Sequence, residues 1–92
     1  MTTVLISGAN RGLGLEFVRQ YTADGATVIA ACRTPAEATA LNALAQASGG
    51  KITVHAMDVG DAASVAAFKQ EVGSTPIDIL ICLLYTSDAA DE

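Results

Sequence analysis

The 92-residue chain is predicted to be an α/β protein: half of a doubly wound parallel sheet, with elements in the order β-α-β-α-β-α-β. Three observations predict it. Short apolar, β-branched runs alternate with longer stretches of helical periodicity. Gly or Pro punctuates the changes between them. The first run ends directly in a glycine-rich turn, Ser7-Gly8-Ala9-Asn10-Arg11-Gly12-Leu13-Gly14, which opens into an amphipathic segment.

Thr3 to Ile6 reads as the first strand, apolar enough to be buried on both faces as parallel strands are. From Gly12 to about Asp24 the pattern is helical, with Leu13, Phe17, Val18 and Tyr21 on one stripe and Gly25 as the stop. Thr27 to Ala31 is a second apolar strand. Pro35 suits a first helical turn and opens an alanine-rich helix whose inner side is Ala38, Leu41, Leu44, Ala45 and Ser48; Gly49-Gly50 ends it.

Lys51 to Ala56 forms the third strand, with Ile52, Val54 and Ala56 alternating with more polar residues. Gly60-Asp61 starts a third helix carrying Val65, Phe68 and Val72, with the Asp61 carboxylate favourable in its first turn. After the break at Gly73-Ser74-Thr75-Pro76, Ile77 to Ile81 is the fourth strand. Right-handed crossovers then predict the strand order 3-2-1-4, with a ligand at the carboxyl edge of the sheet. The glycine turn and the ends of strands 2 and 3 converge on that rim.

The turn has a chemistry of its own. Gly8 permits a sharp exit from the strand. Gly12 leaves room for a pyrophosphate to approach the backbone, and Gly14 lets the helix pack tightly on the sheet. The free amides of the helix's first turn, at the positive end of its dipole, suit phosphate groups.

The spacing is Gly-x-x-x-Gly-x-Gly, and residues 7–14 resemble the cofactor loop of the short-chain dehydrogenase/reductase (SDR) family, with Ser7 where Thr is usual. The run Ser-Gly-Ala-Asn-Arg-Gly-Leu-Gly-Leu-Glu-Phe-Val at 7–18, together with Cys32-Arg33, is similar to the carbonyl-reductase-like branch of that family. The resemblance implies the N-terminal half of a Rossmann-type fold. It also implies an oxidoreductase that transfers hydride between a nicotinamide dinucleotide and a small carbonyl or alcohol substrate. On this reading the cofactor is bound by Ser7, Gly8, Asn10, Arg11, Gly12, Leu13 and Gly14.

The end of strand 2 bears on which dinucleotide. An acid there would select NAD(H) by bonding the ribose hydroxyls. This chain has Arg33 instead, a guanidinium able to pair with a 2′-phosphate and stack on adenine. By resemblance Arg11 is a second cation of NADP-preferring members, and NADP(H) is expected over NAD(H). The resemblance further implies that Asp58 accepts from the adenine amine and that Val59 covers the ring edge. A lone Asp after a strand is otherwise a turn former. His55 reads as a strand residue with no partner acid at readable spacing.

The resemblance runs through residues 2–81 and then stops: the family's Asn-Asn-Ala-Gly is replaced at 82–85 by Cys-Leu-Leu-Tyr. Residues 82–92 resemble the in-frame translation of a transposase-type sequencing adapter, so 1–81 is expected to be a truncated cofactor-binding half-domain and 82–92 a non-native tail. The family's catalytic Ser, Tyr and Lys would lie beyond position 92. Tyr85 does not replace that tyrosine, because Ala89 stands four residues on where the family has lysine. No catalytic residue is therefore expected in this chain. Subunit-pairing helices, which would make a homo-oligomer of a full-length protein, would also lie past the break.

Composition narrows the rest. Net charge is −5, but residues 1–81 hold seven acids against five bases, a net of −2. There is no basic face for nucleic acid and no basic amphipathic helix for a membrane surface. No apolar run reaches spanning length and no secretory leader is legible. Cys32 and Cys82 fit neither a disulfide framework nor a metal site, so a cytoplasmic location is expected and no metal. Two other readings stay open, a non-catalytic dinucleotide-binding module and an inactive gene fragment.

Overall fold

A computed structural model describes residues 2–82 of the chain. Four parallel strands, β1 (Thr3–Ser7), β2 (Thr27–Cys32), β3 (Ile52–Ala56) and β4 (Ile79–Cys82), form one sheet in the order β3-β2-β1-β4. Helices α1 (Gly12–Ala23), α2 (Thr39–Ala47) and α3 (Ala62–Val72) make the crossovers. The expected fold class and strand order are both met. The expected tail lies outside the described residues apart from Cys82, which is the last residue of β4.

Alternation along β1 and β2 divides the core between the two faces of the sheet. Val4, Ile6, Val28, Ala30 and Cys32 meet Val18 of α1 and Leu41 of α2 on one side. Leu5, Ile29 and Ala31 meet Phe68 of α3 on the other. Both inner strands are thus covered twice, and each fully buried aliphatic chain contributes about 1.5–3 kcal/mol. At the edge, Leu80 of β4 is 66% exposed on the α3 side.

The helix ends follow their local chemistry. α1 closes in a Schellman motif, in which the Gly25 amide donates to the Thr22 carbonyl and the Ala26 amide to the Tyr21 carbonyl, each at 3.0 Å. Asp61 is not in the first turn of α3 but is its N-cap, its Oδ1 accepting from the amides of Ala63 (3.0 Å) and Ser64 (3.4 Å). Asp61→Ala is expected to cost about 1 kcal/mol of stability, a loss that urea denaturation measures.

Two helical expectations change. Pro35 does not open a continuous helix: Pro35–Glu37 is a single 3-10 turn, and the chain breaks at Ala38 before α2 begins. Proline disfavours α geometry at Thr34. The Asn42 side chain, moreover, donates to the Pro35 carbonyl at 2.8 Å, and Ala38 is buried where the chain bends. The buried stripe of α1 holds Phe17, Val18 and Tyr21 as expected, but Leu13 is 62% exposed and Leu15 packs inward instead. At the first turn of α1 it is therefore Leu15, two residues on, that reaches the apolar cluster of the sheet.

Candidate functional site

The carboxyl ends of β1, β2 and β3 are sewn into one rim. Beyond β1, the Ala9 amide donates to the Ala31 carbonyl at 3.1 Å, which ties the glycine turn to β2. Beyond β3, the Met57 amide donates to the Cys32 carbonyl at 2.8 Å, which brings Asp58 to the same edge. Three separated pieces of sequence meet because parallel strands all end on one side.

At the centre of the rim the three glycines differ in their surroundings, and Gly14 is pressed against the Gly8-Ala9 turn and not against the sheet. Gly8 (φ 65°) and Gly12 (φ 58°) are both left-handed, a conformation that disfavours a side chain. A Cβ built at Gly12 meets nothing within 4 Å, so that glycine faces open space. A Cβ built at Gly14 would stand 2.0 Å from the Gly8 carbonyl oxygen, so Gly14 is there for close approach of helix and loop. Ser7, at the end of β1, is buried beneath them.

The amides of the α1 first turn belong to Gly12, Leu13 and Gly14. The first amide–carbonyl bond of the helix runs from Leu15 to Arg11, and Arg11, the N-cap, supplies no side-chain cap. α3 contrasts with this, since Asp61 satisfies two of its amides. An uncapped helix start above an open glycine is a set of donors and a dipole aimed at an anion.

Beside the turn, Asn10, Arg11, Arg33, Thr34 and Glu37 line a cleft of about 240 Å³. Arg11 and Arg33, 22 residues apart in sequence, therefore face one space. Asp58 and Val59 lie on the same edge outside that cleft. The Asp58 Oδ1 accepts from the Gly60 amide at 3.0 Å and its own amide donates to Ser64 Oγ at 2.8 Å, so it does act as a turn former; Val59 is 41% exposed. Glu37 and Thr34 escape a reading of the sequence, because an uninterrupted helix from Pro35 would carry Glu37 away from the rim. No local signal marks the break, since Thr34 outside the α region and Pro at the first position would accompany a continuous helix as well.

His55 does have an acidic partner. Its Nδ1 lies 2.7 Å from Glu71 Oε1, its Nε2 3.0 Å from Thr53 Oγ1, and its ring packs edge-on to Phe68. Sixteen residues separate the pair, and only the packing of α3 on β3 joins them. The cluster sits away from the cleft and reads as a strand-to-helix tie. Cys32, just before Arg33, is buried, and that burial pushes its thiol pKa up against a smaller lowering by a backbone bond from Thr34. It is a core residue and no nucleophile. Among the described residues no group of His, Cys, Asp or Glu has metal-ligating geometry, and no helix is long and apolar enough to cross a membrane.

The sequence model of the short chain dehydrogenase family matches residues 2–82. A curated "Probable oxidoreductase" from Streptomyces antibioticus is 42% identical over 79 residues, which make up 84% of this chain and 26% of that protein. Among solved structures, a carbonyl reductase from Pseudomonas aeruginosa in complex with NADP superposes with a TM-score of 0.84 at 33% identity, over 89% of this chain and 37% of that one. Menthone neomenthol reductase from Mentha piperita gives 0.78 at 30% identity, over 92% and 32%.

Proposed function

Since the chain belongs to the short chain dehydrogenase family, whose members bind a nicotinamide dinucleotide, we propose that residues 1–81 are the NADP(H)-binding part of an oxidoreductase. The parent enzyme reduces a small carbonyl or oxidises an alcohol. Arg11 and Arg33 lining one polar cleft beside an uncapped helix start is the observation that carries this reading. The family relatives support it, one of them bound to NADP.

The residues fit the cofactor. The amides of Gly12, Leu13 and Gly14 would hold the pyrophosphate, for which the open space at Gly12 leaves room. Gly8 and buried Ser7 shape the turn, and Asn10 borders the adenosine end. Arg11 and Arg33 would hold the 2′-phosphate by charge-assisted hydrogen bonds, which an uncharged ribose hydroxyl does not offer. Asp58 and Val59 border the adenine. When bound, the cofactor supplies the hydride. The chain's own residues bind and orient it, while proton transfer to substrate falls to residues outside this chain. The free thiols Cys32 and Cys82 are consistent with a reducing, cytoplasmic setting.

Isothermal titration of the 92-residue chain with NADP⁺ and NAD⁺ tests the reading. Tighter binding of NADP⁺ by about tenfold or more is expected from one charge-assisted phosphate contact. Equal affinities would remove the assignment of Arg33.

A further inference from the structure

The cleft that holds the two arginines also holds a carboxylate. Glu37 lines it together with Asn10, Arg11, Arg33 and Thr34. It is there because the chain turns after β2: the Glu37 amide donates to the Thr34 carbonyl at 3.0 Å, the Ala38 amide to the Pro35 carbonyl at 3.1 Å, and Asn42 clasps the Pro35 carbonyl from α2. Ala38, immediately behind, is buried in the core. The backbone under Glu37 is thus fixed on three sides, and only its side chain is free to turn.

We infer that Glu37 sets the balance between the two dinucleotides, opposing the 2′-phosphate that Arg11 and Arg33 attract. The inference rests on the proposed function and deepens it. A phosphate monoester entering the cleft meets two positive charges and one negative one. The carboxylate must swing away or stay and repel, so it subtracts from the affinity for NADP(H). A ribose 2′-hydroxyl carries no charge, and NAD(H) is not penalised. Glu37 therefore narrows a preference that the arginines alone would make wide.

The test is Glu37→Gln, which keeps the size of an exposed side chain and removes its charge. NADP⁺ binding should tighten about two- to fivefold, the range of a single exposed charge pair, with NAD⁺ unchanged. The gain should shrink in 0.5 M NaCl, where screening acts within about 4 Å. A melting midpoint unchanged from wild type separates this from a folding effect. An unchanged ratio of the two affinities, in a chain that still prefers NADP⁺, overturns the inference and leaves the proposed function standing. Weaker NAD⁺ binding in Glu37→Gln also overturns it, because the carboxylate would then be accepting from ribose hydroxyls. Binding of neither nucleotide by wild type overturns the proposed function and this inference with it.

Discussion

Gly14→Ala is expected to be the most damaging single-methyl change in the chain. The added carbon would stand 2.0 Å from the Gly8 carbonyl oxygen and 3.1 Å from the Ala9 Cα. Both are backbone, so no side chain can rotate aside. Relief requires α1 to lift from the turn, which disturbs Val18 in the core and the Ala9–Ala31 bond at the rim together. Overpacking of this kind costs about 3 kcal/mol or more when the neighbours are rigid. In a domain this small that lowers the melting midpoint by about 10–20 °C. Dinucleotide binding should be lost in the same variant.

Gly12→Ala is the control that separates packing from binding. Its methyl meets nothing within 4 Å, so the cost is the left-handed backbone alone, about 1 kcal/mol. The methyl nonetheless enters the space that a pyrophosphate would use, so nucleotide affinity should fall while the fold persists. A Gly14→Ala chain that melts within a degree or two of wild type would show that helix and turn are not in close contact.

Arg33→Asp carries the second large effect. It removes a guanidinium from the cleft and adds a carboxylate beside Glu37. Loss of a charge-assisted contact is worth about 1.5–3 kcal/mol, and the new repulsion adds to it, so NADP⁺ affinity should fall by about 30-fold or more. NAD⁺ carries an uncharged ribose hydroxyl at that point, from which the new carboxylate can accept, so its affinity should hold or rise and not fall. Equal losses for both nucleotides would mean that Arg33 does not read the 2′-phosphate.

Much of this was legible because the informative signals were local. Alternation of apolar strands with helical stretches sets the order of elements, and the spacing of Gly8, Gly12 and Gly14 marks the turn. Parallel pairing then required the strand ends to share one rim, which brought Arg11 and Arg33 to one cleft. What escaped was set by tertiary contact. Leu13 has the right spacing for the α1 stripe but is exposed beside the glycine turn, and Leu15 takes the inward place. The break after Pro35 depends on Asn42, seven residues on, taking a carbonyl that a helix would have used. The His55–Glu71 contact links a strand to a helix, so neither residue's neighbours in sequence announce it. Glu37 was hidden for the same reason as the break that positions it.

Amide spectra of the ¹⁵N-labelled chain, recorded as NADP⁺ is added, test the proposed phosphate-binding role of the turn most directly. The resonances of Gly12, Leu13 and Gly14 should move first and furthest, with those of Arg11 and Arg33 following, and β3 beyond Met57 responding less. Shifts centred on the His55–Glu71 side of the sheet, or none at saturating nucleotide, would contradict it.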